Sequence, residues 1–81
     1  MQKPRTPEGG KNLINQHLIR LRKERGLSQR ELANVLQLKG YDIDKNVITR
    51  IETNKRYVTD VELKAFVEIF EVDYKYLIEG K

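Results

Sequence analysis

Apolar residues recur along this chain at helical spacing, and no stretch alternates between turn signals as a strand and hairpin would. Ile14, Leu18 and Leu21 stand at i, i+4 and i+7, the inward stripe of a first helix that runs to about Arg25. Leu32, Val35 and Leu36, with the small Ala33 beside them, face inward from a second. Val47, Ile48 and Ile51 gather on one side of a third, which starts near Asp44 and runs toward Asn54. Leu63, Phe66, Val67 and Phe70 make the strongest amphipathic pattern, and Leu77 with Ile78 closes the core from a short last helix. The pattern predicts an all-α bundle of five helices: one domain over residues 12–81, preceded by a flexible basic arm over residues 1–11.

Polar residues between the stripes predict where the helices begin and end. Asn12 is the expected N-cap of the first, and Gly26 its stop after the basic turn of Arg22, Lys23 and Arg25. Ser28 with Glu31, and Thr59 with Glu62, have the capping-box spacing, in which hydroxyl and carboxylate each satisfy an amide at the helix start. Asp44 and Asp73 cap the third and fifth helices. Within residues 37–43 Gly40 is the turning point, while Leu38, Tyr41 and Ile43 are too apolar for a free loop and are expected to fold back on the core. Residues 1–11 hold both prolines, Gly9, Gly10, Lys3, Arg5 and Lys11, and almost nothing to bury.

Composition narrows the chemistry. A chain of 81 residues supports one modest core. Without cysteine it forms no disulfide and no thiolate metal site, and its single histidine, His17, is an ordinary helix-surface residue. No apolar run approaches the roughly 18–20 residues of a membrane span, and the start lacks the apolar core of a secretory signal. There is no phosphate-cradling glycine loop, and the carboxylates are occupied as caps and surface charges. The expectation is a cytoplasmic protein that is not an enzyme, with no metal, cofactor, membrane or small-molecule ligand.

Charge is distributed unevenly. Residues 1–58 carry 13 Lys or Arg against 6 Asp or Glu, giving +7, whereas residues 59–81 carry 3 against 6, giving −3. The basic part contains the third helix, whose other side presents Lys45, Asn46, Thr49, Arg50 and Thr53. Such a helix suits a DNA major groove: lysine and arginine donate to guanine O6 and N7, and asparagine pairs with adenine N6 and N7. The start of the second helix, with Gln29 and Arg30, is a candidate anion site for a backbone phosphate.

Three motifs in order, Leu27-Ser28-Gln29-Arg30-Glu31-Leu32-Ala33, Val47-Ile48-Thr49-Arg50-Ile51-Glu52 and Glu71-Val72-Asp73-Tyr74-Lys75-Tyr76-Leu77, resemble the Cro and phage-repressor type of helix-turn-helix domain, the xenobiotic-response-element family. The resemblance implies a compact lambda-repressor-like bundle and covers residues 12–79. It implies that Gln29 grips a phosphate, that Lys45, Asn46 and Arg50, with Asp44 or Val47 beside them, contact bases, and that Arg22 pairs with Glu52 as a structural ion pair. Thr49, Thr53, Lys55, Arg56 and Tyr57, with Arg30, are the remaining phosphate candidates. Two positions depart from the family pattern. The turn before the third helix is lengthened by an elbow over residues 37–41, and the glycine common after that helix is Asn54, the best non-glycine tolerator of the left-handed conformation.

The function expected is a sequence-specific, double-stranded-DNA-binding transcriptional regulator, a repressor working by occlusion. It would act as a homodimer, because one domain covers one half-site and half-sites lie about 34–36 Å apart. The setting would be the bacterial cytoplasm, nucleoid-associated or phage-encoded. The arm admits a sharper reading too, with Lys3, Arg5 and Lys11 touching the DNA backbone or minor groove. The competing expectation is an antitoxin or accessory protein-interaction module with a secondary DNA role, suggested by the acidic last third and by Leu13 and Ile19 off the main stripe.

Overall fold

The computed structural model describes residues 4–81, and Lys3 of the expected arm lies outside them. Five helices follow one another: α1 (Asn15–Glu24), α2 (Gln29–Leu38), α3 (Lys45–Glu52), α4 (Asp60–Phe70) and α5 (Tyr74–Glu79). No strand occurs among the described residues, and no helix there is long and apolar enough to cross a membrane. α3 packs on α1 and α2, α4 packs on α2 and α5, and α5 closes back on α1. The shared core is built from Ile14, Leu18, Leu21, Leu32, Leu36, Ile48, Ile51, Phe66, Phe70 and Leu77. Ala33 and Ala65 are buried in the same core, where small side chains let neighbouring helices approach. Val35, Leu63 and Val67, expected inside, are only partly covered.

Both capping boxes form, with Ser28 Oγ accepting from Glu31 N and Thr59 Oγ1 from Glu62 N. Asp44 and Asp73 accept from Val47 N and Tyr76 N. α1 starts two residues later than Asn12 capping alone would predict. Asn12 Oδ1 still accepts the amides of Ile14 and Asn15, at 3.2 and 2.9 Å, in a turn that leads into the helix.

The first three helices end alike. Gly26, Gly40 and Asn54 take positive φ, and the next amide reaches back: Leu27 to Arg22 O, Tyr41 to Leu36 O and Lys55 to Arg50 O. This is the Schellman closure, which satisfies last-turn carbonyls and reverses the chain sharply. It also shortens α3 relative to the sequence expectation, since Thr53 is its cap.

The elbow differs from expectation in one side chain. Ile43 is 3% exposed and Tyr41 is half-buried, but Leu38 is 89% exposed. Leu38 lies two residues beyond the buried Leu36, which places it on the opposite side of α2. α2 itself extends through Gln37 and Leu38, so the link to α3 is Lys39 to Asp44. Tyr41 Oη donates to Glu68 Oε2 at 2.6 Å, tying the link to α4. That hydrogen bond, with minor help from burial and from the charges of Glu68 and Tyr74, raises the Tyr41 phenol above its ordinary range.

Arg25 joins two helix ends. Its Nη2 donates to Phe70 O at 2.7 Å, placing a cation at the negative end of α4, with its guanidinium 5.8 Å from the Phe70 ring centroid. The adjacent cap, Glu71, is held at φ 55° and ψ 44°, a left-handed conformation that glycine adopts without steric cost. Glu71→Gly is therefore expected to raise stability by about 1 kcal/mol, with the relief of the left-handed strain exceeding glycine's entropy loss. Urea denaturation checks this: the midpoint rises and the slope stays the same.

Candidate nucleic-acid interface

The exposed side of α3 rests on a chain of polar contacts. Arg22, in the last turn of α1, donates through Nε to Glu52 Oε2 at 2.7 Å and through Nη2 to Glu52 Oε1 at 3.0 Å. Its Nη1 donates to Leu27 O at 2.9 Å, so the guanidinium spans the end of α1, the turn after it and the end of α3. The side chains are 12% and 4% exposed. Hydrogen bonding to Glu52 holds the Arg22 pKa above its ordinary value, against the opposing effect of burial.

Glu52 also fixes α2. Its Oε1 accepts from Gln29 Nε2 at 2.9 Å, and Gln29 Oε1 accepts from Thr49 Oγ1 at 2.8 Å. The Thr49 hydroxyl lies 3.0 Å from Lys45 O as well, and its single hydrogen serves one acceptor at a time. Arg22, Glu52, Gln29 and Thr49 thus form one network across α1, α2 and α3. Gln29 keeps a second Nε2 hydrogen beyond the one given to Glu52.

Above this layer Lys45, Asn46, Arg50, Thr53 and Lys55 are exposed, as is Arg30 at the start of α2. Val47 is half-buried. Asp44 is exposed, and its Oδ1 is engaged by Val47 N at 2.9 Å, which leaves Oδ2 for a ligand. Thr53 Oγ1 donates back to Thr49 O at 2.8 Å, so outward it can only accept. The half-buried Tyr57 ring lies beneath the Lys11 ammonium, 5.6 Å from its centroid.

Arg56, expected as a phosphate contact, pairs with the buried Glu62 of α4, and its side chain stays 29% exposed. Its Nε is buried with no hydrogen-bond partner, and its carbonyl accepts from Asn12 Nδ2 at 2.9 Å. A carboxylate already committed to the Thr59 capping box leaves an unbalanced charge in the fold, and Arg56 neutralises it.

Two groups of residues lie beyond the expected site. Ala33, Asn34 and Gln37 join the expected Arg30 on one stripe of α2 and, with Asp44, Lys45 and Asn46, line a polar cleft of about 330 Å³ between α2 and the start of α3. The i, i+4, i+7 spacing of Arg30, Asn34 and Gln37 was the available signal. The second group is Asn12 with Asn54, whose side chains join the start of the domain to the end of α3 across 42 residues, and local pattern carries no such signal.

The network predicts a marked asymmetry. Glu52→Ala strands a nearly buried guanidinium and is expected to cost about 3–5 kcal/mol, a large share of the roughly 5–15 kcal/mol that holds a domain folded. Replacing both partners by apolar residues, Arg22→Met with Glu52→Leu, is expected to cost far less. Chemical denaturation of the single and double variants measures the difference.

No curated protein matches the chain. A family model described as a helix-turn-helix domain matches residues 15–81, from the first residue of α1 through α5 to the last residue. With most of the chain matched and the helices in place, the protein belongs to the helix-turn-helix domain family, a family of DNA-binding domains.

Proposed function

We propose that the chain is a sequence-specific double-stranded-DNA-binding transcriptional regulator of the Cro and phage-repressor type, acting as a repressor by occlusion. The observation that carries this reading is the exposed row of Lys45, Asn46 and Arg50 on a helix whose inner side is immobilised by Ile48, Ile51 and Glu52. A rigid helix with a donor-rich front meets the geometric demand of major-groove recognition. Arg50 and Lys45 address guanine and Asn46 adenine, each contact contributing about 1–3 kcal/mol of discrimination. Asp44 accepts from cytosine through its uncommitted oxygen, and Val47 offers an apolar edge to a thymine methyl. Gln29, Arg30, Thr49, Thr53, Lys55 and Tyr57 contact or flank the phosphates, which set register without carrying sequence information. Arg56, paired with Glu62 and partly exposed, flanks the same set.

The regulator acts as a homodimer on two half-sites, in the cytoplasm of a bacterium and encoded by the host or a phage. A second reading, an antitoxin or accessory interaction module, is favoured by the exposed Leu38 and by Leu13, which is 55% exposed. Single exposed leucines are common on monomers, so this reading ranks below DNA recognition. A stoichiometric protein partner recovered from the native host, with no footprint on DNA, would reverse the order.

Binding to the chain's own promoter and to an unrelated duplex, across a salt series, tests the main reading. Affinity is expected to fall steeply with salt for both, and no binding to either at low salt refutes it. Arg50→Ala is expected to remove most of the preference for the promoter, while Gln29→Ala weakens both duplexes about equally. Thermal unfolding of each variant separates lost contacts from lost fold, because Gln29 also supports Glu52.

A further inference from the structure

The segment before α1 is built into the fold. Asn54 Oδ1 accepts the amides of Lys11 and Asn12, at 3.0 and 2.9 Å. Asn12 Nδ2 in turn donates to Ile51 O at 3.1 Å and to Arg56 O at 2.9 Å. Asn54 thereby holds the backbone of Lys11 and Asn12, and Asn12 holds the backbone on either side of Asn54, a staple that adds a second donor to the Ile51 carbonyl that already accepts the Asn54 amide. Asn12 is 8% exposed. Gly10 completes the fit, since a Cβ there would run into the Asn54 carboxamide. Upstream, Thr6 N donates to Gly10 O at 2.9 Å and Gly10 N to Thr6 Oγ1 at 2.9 Å, closing a turn where a free arm was expected.

This arrangement fixes where a cation sits. Lys11 lies between its stapled amide and the Tyr57 ring, in the loop that follows α3 and carries the exposed Lys55. The carboxylate of Glu62 is taken up by Arg56 and the Thr59 cap, and among the described residues no carboxylate pairs with Lys11 or Lys55 at this end of α3.

We propose that residues 10–12 are part of the DNA interface, the Asn12–Asn54 staple holding Lys11 at the end of α3 so that it contacts a backbone phosphate of the duplex. The proposal rests on the reading of α3 as the groove-bound helix. A lysine held in place by its own backbone gives up less freedom on binding than one on a mobile arm, so its contact adds more affinity.

The test compares the full chain with Lys11→Gln and Asn54→Gly on the promoter and on an unrelated duplex. Glycine adopts the left-handed conformation of residue 54 readily, so Asn54→Gly keeps the helix end and removes only the staple. Lys11→Gln is expected to make the slope of log affinity against log salt shallower by about 0.9, the value for one phosphate, and to weaken both duplexes alike. Asn54→Gly is expected to speed hydrogen exchange at the Lys11 and Asn12 amides and to flatten the slope similarly, with the double variant no flatter than Lys11→Gln. An unchanged slope in Lys11→Gln overturns the phosphate contact. A wild-type slope in Asn54→Gly, with fast amide exchange, overturns the positioning by Asn54. Failure of the wild-type protein to bind either duplex is a different result, which removes the reading of α3 itself.

Discussion

The fold depends on one carboxylate. Glu52 closes the last turn of α3 and receives three hydrogen bonds, two from Arg22 and one from Gln29. A charge this deeply placed is tolerable only when its lone pairs are filled, and α1 and α2 each supply a partner. The apolar contacts of Ile48 and Ile51 are nondirectional and would permit several rotations of the helix. The Glu52 contacts are directional, so they select one of those rotations, and the outward side of α3 follows from that choice.

The same logic recurs at smaller scale. Glu62 is buried at the start of α4, serves a capping box and is neutralised by Arg56. Arg25 does the converse, bringing a cation to the open carbonyls of α4. In each case a charged residue links two parts of the fold, six residues apart for Arg56 and Glu62 and 45 apart for Arg25 and Phe70, and it also serves backbone groups that a helix leaves open. The N-terminal staple achieves a similar link with neutral carboxamides.

Much of the helical layout was legible in the sequence because it rests on local rules. The hydroxyl-to-carboxylate spacing of Ser28 with Glu31 and Thr59 with Glu62 carries its own geometry, as do Gly26 and Asn54 after their helices. Side-chain burial was legible where periodicity is strong, as for Phe66 and Phe70, and misread at Leu38, where hydrophobicity was weighed without the helix phase set by Leu36. At the candidate site, the exposure of Lys45, Asn46 and Arg50 follows from the helix pattern alone. The inward turn of Arg56 does not, because it depends on a buried acid in the next helix. Nor do the Asn12 and Asn54 contacts, since an asparagine beside a helix end has many local partners and only the tertiary fold selects a distant one.

The attachments of α3 are not spread evenly along it. The hydrogen bonds from Thr49, Ile51 and Glu52 to other parts of the fold lie in its second half, whereas its first turn is held by the Asp44 cap and by the packing of Val47 and the fully buried Ile48. Mechanically the helix is keyed at one end and seated at the other: the directional bonds near Glu52 set its rotation, while Ile48 in the core and the link before it, pinned by the buried Ile43 and by Tyr41 on Glu68, set its depth.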